Sequence, residues 1–150
     1  MYELMFDGLF LFGLLSFLLM QIGYIFCYMQ GKNFMGRREI TFGVVIAMLV
    51  VANILYLWPN LDLLKIPVIF YSLALGSMAW AAFTRDLRKP GYFMVLAGSV
   101  FFLISDSLLG IQVFAGEAMM GGTLVMITYC LAQFLIVTGF TSYLTSVNHA

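Results

Sequence analysis

Asp106 is the side chain with the clearest capacity for chemistry, because it lies in the middle of the apolar segment GSVFFLISDSLLG, residues 98–110. No other formally charged side chain is placed so deep in apolar sequence. An ionisable group inside a membrane helix is costly to bury and is therefore a functional candidate by default. A protonated carboxyl group is a general acid. The alternative is a structural role, in which Asp106 joins two helices through a hydrogen bond.

Three polar residues on other apolar segments fall at a depth similar to that of Asp106, when depth is counted at about 1.5 Å per helical residue. They are Tyr129, Tyr71 and Asn53, and Ser105 flanks the acid on its own segment. We therefore expect a polar layer in the outer half of the membrane. Helix rotation, which the sequence does not fix, decides whether these side chains converge.

Two amides extend this polar set. Gln133 lies four residues after Tyr129 and shares its helix face, one turn deeper. Gln21 lies slightly inward of the middle of the first apolar segment. Polar side chains in membrane helices often only join one helix to another. Four aromatic residues are interpreted as interfacial anchors, namely Tyr24, Tyr28, Trp58 and Tyr92.

Several other chemistries lack the residues they need. The one histidine, His149, stands at the C-terminus, so neither a Ser–His–Asp triad within the membrane nor a histidine-based zinc site is expected. The sequence has no glycine-rich phosphate loop and no cysteine-rich ligand set. Cys27 and Cys130 both fall in apolar segments and are interpreted as buried small hydrophobic residues. We expect no metal and no cofactor.

The composition indicates that lipid is the solvent of this chain. Of 150 residues, 63% are hydrophobic and 9% are charged, whereas soluble domains average about 25% charged residues. The formal net charge is zero, and no basic tract indicates nucleic acid. The membrane bilayer is therefore the expected partner, and nucleic acid is not.

Five apolar segments are each near the roughly 20 residues that cross a bilayer as a helix. Because lipid offers no hydrogen-bond partners to the backbone, each segment is expected to be helical. The predicted fold is an all-α, polytopic membrane bundle formed by residues 1–150 as one transmembrane domain. The predicted helices span about 9–29, 40–58, 66–83, 92–114 and 119–144.

The basic residues predict the orientation of the helices. Six of the seven lysines and arginines fall in the first and third loops, and only Lys65 falls in an even-numbered loop. The positive-inside rule therefore places the N-terminus outside and the C-terminus inside a cell membrane. The six are Lys32, Arg37, Arg38, Arg85, Arg88 and Lys89, and the acids expected on the outer side are Glu3, Asp7, Asp62 and Glu117.

The sequence resembles the YhhN family of membrane proteins, whose animal members are lysoplasmalogenases. The segment around Asp106 resembles the family signature G-x-x-x-F-x-x-S-D-x-x-L. The closing segment MITYCLAQFLIVTG resembles a helix with T-Y-x-x-A-Q-x-L-I, and these two pieces together are fairly specific. Weaker similarities are carried by GLLSFLLMQIGYIF, residues 13–26, and PVIFYSLALGSMAW, residues 67–80.

The resemblance implies hydrolysis of the vinyl ether of a lysoplasmalogen, a lysophospholipid-type substrate, without metal or redox cofactor. It implies that Asp106 is the proton donor, or the carboxylate partner of a second family aspartate. It also implies that other polar groups position water or a glycerol oxygen. The residues assigned to this positioning role are Tyr129, Gln133, Tyr71, Ser105, Asn53 and Gln21.

Two departures from the family pattern affect this interpretation. Gln21 stands where the family usually has histidine, and an amide cannot carry a proton. Family members usually have about eight helices, so the chain resembles their last five and lacks the second aspartate. The alternative function is a non-enzymatic lipid-binding or transport module of the same fold, or a subunit. A homodimer that completes the cavity is a further expectation.

Overall fold

The computed structural model describes residues 2–29, 36–61, 64–116 and 121–148, with side chains described within residues 11–146 of those ranges. The described chain is helical, and five helices are long and apolar enough to cross a membrane. The prediction of an all-α protein with five membrane-length helices is therefore confirmed. The helices are α1 Tyr2–Met29, α2 Arg37–Leu57, α3 Lys65–Phe83, α4 Tyr92–Phe114 and α5 Gly121–Asn148, with a 3₁₀ turn at Trp58–Asn60.

The helix ends differ from the prediction mainly where polar residues extend an apolar segment. α2 begins at Arg37, where the Glu39 carboxylate accepts a hydrogen bond of 2.9 Å from the backbone N–H of Gly36. α5 continues past residue 144 to Asn148, and the Thr145 hydroxyl donates to the Thr141 carbonyl at 3.0 Å. Side-chain groups that bond to the backbone let a helix run beyond its apolar part.

α3 is the central helix and packs against α1, α2 and α4. Its C-terminal half carries small side chains, and Ala79 and Ala82 are fully buried. A Cβ added at Gly76 would lie 2.9 Å from the Val50 side chain on α2. Small residues at such contacts let membrane helices approach closely. The position of Gly76 agrees with this packing role.

The longest shared surface in the bundle joins α4 to α5. A Cβ at Gly98 would lie 2.8 Å from the Ala132 carbonyl oxygen and 2.9 Å from the Ile136 amide nitrogen. Gly91, just before α4, has φ of 74° and its added Cβ would meet the Gly139 carbonyl. Both glycines therefore hold α4 directly against the backbone of α5.

Large apolar side chains cover the outside of the bundle. Phe12 is 72% exposed and Leu19 is 70% exposed, on the faces that the other helices leave free. A water-soluble monomer rarely exposes apolar patches of such extent. This surface indicates a lipid bilayer as the surroundings.

Basic side chains gather at one end of the bundle. The Arg38 guanidinium lies over the Phe83 ring at the end of α3, and Arg85 follows on the next loop. This grouping agrees with the pattern used for orientation, although which end is cytoplasmic stays a prediction. Some residues used for the orientation lie outside the described residues or have no described side chain, namely Glu3, Asp7, Lys32, Asp62 and Glu117, and so does His149.

Candidate functional site

Asp106 on α4 pairs with Tyr71 on α3. The Tyr71 hydroxyl donates a short hydrogen bond to the Asp106 Oδ2 atom. Both side chains are half-buried, and helix packing rather than a local loop sets the geometry of the pair. The structure therefore brings together two of the residues that the sequence placed at one depth.

This pair lies in the wall of a cavity of about 660 Å³ at the end of the bundle where α2 and α4 finish and α3 begins. Four helices line the cavity, and most of its wall is aliphatic or aromatic, including Leu14, Phe17 and Val68. Pockets for small molecules are commonly apolar with a few placed polar groups. The polar lining residues are Asn53, Tyr56, Tyr71, Ser72, Asp106 and Ser107.

Asn53 is the third predicted residue in this cavity, since it lines the wall contributed by α2. Ser105 lies elsewhere. It is 1% exposed, and its hydroxyl donates to the Val125 carbonyl on α5 at 3.0 Å. Successive residues of a helix point about 100° apart, so Ser105 and Asp106 lie on different sides of α4. Ser105 thus joins α4 to α5 and does not reach the cavity.

Tyr129 is held by aromatic rings. Its ring packs edge-on against Phe17 at 5.7 Å and against Phe102 at 5.6 Å between centroids. Phe17 also lines the cavity that contains Asp106. Tyr129 therefore packs behind a ring of the cavity wall and is not itself a lining residue.

Gln133 belongs to a second polar contact, which lies between α5 and α1. The Tyr24 hydroxyl donates to the Gln133 Oε1 atom at 2.7 Å, and Gln133 Nε2 contacts the Met20 sulfur at 3.5 Å. Tyr24 and Tyr28 also stack with their centroids 6.0 Å apart. Sequence reasoning missed Tyr24 as an internal partner, because a tyrosine near a segment end has the same signature as an interfacial anchor.

Gln21 is fully buried, and neither its side-chain oxygen nor its nitrogen has a hydrogen-bond partner among the described residues. It lies near the Tyr71 hydroxyl but forms no hydrogen bond of normal geometry with it. Buried polar groups are nearly always bonded to protein or water. Gln21 is therefore a place where an internal water would complete the contacts.

Three sequence interpretations are corrected by burial. Tyr28 is 1% exposed and Tyr92 is 2% exposed, so these residues belong to the core rather than to the membrane interface. Cys130 is exposed on the outside of α5 rather than buried. Helix rotation decides whether a side chain on a membrane helix faces lipid or protein. Because both faces of the helix are apolar, the sequence does not show which face packs against protein.

Among the described residues, no group of three histidine, cysteine or acidic side chains is arranged to hold a metal ion. The functional groups that the structure brings together are a carboxyl, phenols and amides. They can transfer a proton and hold a water or a hydroxyl group.

Fold and site together define a polytopic membrane protein with an acid–phenol pair in the wall of an apolar cavity. A family model described as the YhhN family matches residues 4–140, and the chain belongs to that family. No curated protein and no solved structure matches the chain.

Proposed function

We propose that this protein is a lysoplasmalogenase-like hydrolase of the cell membrane, which cleaves the vinyl ether bond of a lysoplasmalogen by acid catalysis. The observation that carries the proposal is the hydrogen bond from Tyr71 to Asp106 in the wall of the apolar cavity. The YhhN family match supports it. The cavity suits a long alkenyl chain, because its wall is apolar and its polar groups are few.

The reaction requires one proton donor and one water. Tyr71 donates to Oδ2 of Asp106, so Oδ1 is the atom that carries the catalytic proton in this proposal. Asp106 gives its proton to the vinyl carbon remote from the ether oxygen, and an oxocarbenium ion forms. Water adds to this ion and returns a proton to the Asp106 carboxylate. The hemiacetal then collapses to a fatty aldehyde and the glycerophospho-base, and the acid is regenerated.

Water and substrate are positioned by the neighbours of the pair. Neither polar atom of the Gln21 side chain has a partner in the part of the chain that the structure describes, and Gln21 lies near Tyr71, so it is proposed to hold the water. Asn53 lines the cavity and is proposed to bond the glycerol oxygen. Tyr129 packs against Phe17 of the cavity wall and is proposed to orient Asp106. Ser105 and Gln133 are proposed to support the site by joining helices. Ser105 bonds α4 to α5, and Gln133 bonds α5 to α1.

The test is aldehyde release from lysoplasmalogen by the purified full chain in lipid nanodiscs. We expect Asp106→Asn to abolish release, because an amide of the same shape has no proton to give. Asp86→Asn is the matched control, since Asp86 lies on the loop after α3 and accepts a hydrogen bond from the Arg88 backbone N–H. That control should retain full turnover.

Thermal unfolding of each variant establishes that the fold is intact. Unchanged turnover in folded Asp106→Asn would remove Asp106 from the mechanism. Absence of aldehyde with folded wild-type protein would overturn the hydrolase. Binding of the same lysolipid without turnover would then support the second function, a lipid-binding or transport module, which the mostly apolar cavity wall favours.

A further inference from the structure

Arg85 is a buried cation at the opposite end of the bundle from the cavity. It stands on the short loop between α3 and α4 and is 3% exposed. None of its three guanidinium nitrogens has a hydrogen-bond partner among the described residues. A guanidinium carries five N–H donors and is almost never fully buried without a partner.

Three aromatic rings, carried by α1 and α5, lie around Arg85. The guanidinium carbon lies 5.6 Å from the centroid of Tyr28, 5.7 Å from Phe140 and 5.2 Å from Tyr143. Ring faces attract the charge. They do not accept the five N–H bonds, which point outward in the plane of the guanidinium. The rings therefore hold Arg85 in place and leave its donors free for another acceptor.

A second cation, Lys89, contacts one of the same aromatic rings. The Lys89 Nζ atom lies 4.7 Å from the centroid of the Tyr143 ring and donates to its hydroxyl at 3.2 Å. Lys89 and Tyr143 are both half-buried, so they form the accessible rim above Arg85. Two positive charges thus lie against one aromatic ring.

The described acids near this end are already engaged with the backbone. Glu39 accepts from the Gly36 N–H, and Asp86 accepts from the Arg88 N–H. Burial lowers the pKa of Arg85 through desolvation, yet arginine stays protonated at neutral pH. A buried charge is strongly disfavoured unless an opposite charge and hydrogen-bond acceptors accompany it. An anion from outside the described chain fits this requirement.

We propose that Arg85 and Lys89 bind the phosphate group of an anionic phospholipid of the adjoining leaflet, or a free phosphate. Arginine binds phosphate through two parallel N–H bonds, and a lysine ammonium contributes a point charge. The Lys89–Tyr143 rim opens to admit the phosphate. Two further cations at this end raise the local concentration of anions, namely Arg37 and Arg38.

This site is separate from the proposed hydrolase site. Tyr92, at the start of α4, and Asp106 are 14 residues apart, which corresponds to about 21 Å along a helix. The vinyl ether and the phosphate of one lysolipid are joined by a single glycerol. One substrate molecule therefore cannot place its phosphate at Arg85 and its vinyl ether at Asp106.

The experiment measures the thermal unfolding of the full chain in detergent during titration with four probes. These are short-chain phosphatidic acid, short-chain phosphatidylglycerol, short-chain phosphatidylcholine and inorganic phosphate. We expect the two anionic lipids to raise the unfolding temperature at lower concentrations than phosphatidylcholine. Arg85→Gln should weaken the apparent affinity about tenfold or more, since it removes charge-assisted hydrogen bonds.

Arg88→Gln is the matched control, because Arg88 is exposed on the same loop. It should keep the shift produced by the anionic lipids. Arg85→Lys tests the site if Arg85→Gln does not fold, and should retain a weaker shift because lysine has no planar fork. A shift with inorganic phosphate alone would identify free phosphate as the ligand. Equal shifts in wild-type and Arg85 variants, or none with any probe, would overturn the proposal.

Discussion

At the scale of single residues, the Tyr71–Asp106 contact distinguishes the two carboxyl oxygens of the proposed acid. A phenol that donates to one carboxyl oxygen leaves the other oxygen for the proton. The surrounding cavity wall is mostly apolar, so few other groups compete for either atom. Hydrogen bonds are electrostatically stronger in such a medium than in water. The role of Asp106 therefore depends on Tyr71 as much as on its own burial.

Tyr71→Phe removes this hydroxyl and keeps the ring. Once Asp106 has given up its proton, a hydrogen bond to its charged carboxylate contributes about 1.5–3 kcal/mol, and about 1.4 kcal/mol corresponds to a tenfold change in rate. We expect aldehyde release to fall about tenfold to a hundredfold, with less change in KM. Steady-state kinetics in nanodiscs measure kcat and KM separately and therefore test this expectation.

Tyr92→Phe is the control for this substitution. The Tyr92 hydroxyl also donates a partly buried hydrogen bond, at 3.1 Å to the Phe83 carbonyl, but at the far end of the bundle. This variant should unfold at a lower temperature while its turnover stays normal. If Tyr71→Phe and Tyr92→Phe have the same kinetics, Tyr71 has only a structural role.

At the scale of helices, α4 uses one face to line the cavity and another to pack against α5. One face carries Asp106 to the cavity, and another carries Gly98 and Ser105 to α5. The contact between Gly98 and the α5 backbone leaves no room for a side chain. The seam between α4 and α5 therefore fixes the rotation of α4, and with it the direction of Asp106.

Gly98→Ala tests this seam. The added methyl group would lie 2.8 Å from the Ala132 carbonyl oxygen, which belongs to the backbone and cannot turn aside. Overpacking of this kind costs typically about 1–3 kcal/mol. We expect a lower unfolding temperature and a shift of α4 that reduces activity as well.

Gly23→Ala provides the comparison, because a methyl group there meets nothing within 4 Å. It lies on an exposed part of α1 and should be neutral or slightly stabilising, since alanine favours helix over glycine. Similar unfolding temperatures for both alanine variants would show that the α4–α5 contact tolerates a wider spacing.

At the scale of the whole molecule, the two ends of the bundle differ in chemistry. One end holds the apolar cavity with Asp106, and the other holds Arg85 in its aromatic surrounding. The positive-inside rule predicts that the Arg85 end lies in the cytoplasm. The proposed substrate would then enter from the outer leaflet, while the proposed phosphate site faces the inner one.

Labelling of single cysteines tests this orientation. In a background with Cys27→Ala and Cys130→Ala, one cysteine is placed at Asn60 and another at Arg88, both exposed. We expect a membrane-impermeant maleimide to label Asn60→Cys in intact cells and Arg88→Cys only after lysis. The reverse pattern would invert the topology and place the cavity in the inner leaflet.

The residues of the candidate site could be predicted only in part. Asp106 stood out because an acid in apolar sequence is costly wherever its helix points. Tyr71 and Asn53 were placed by depth, which a fixed rise per residue determines. Ser105 lies at a similar depth but faces α5 in the structure. In the sequence, Arg85 is one of several loop cations that only predict the orientation of the helices. The rotation of a helix and the burial of a loop residue decide which of these residues reach the site. A uniformly apolar sequence predicts neither of them.

The number of helices in the described residues, their lipid surroundings and the presence of an acid within a membrane-length helix follow from the sequence by itself. Each of these depends on local composition and segment length, which a bilayer converts directly into helices. Only the tertiary structure decided that Asp106 meets Tyr71, that Gln133 meets Tyr24 and that Arg85 lies among three rings. These partners are far apart in the chain, and close packing at Gly76, Gly91 and Gly98 sets the rotations that bring them together.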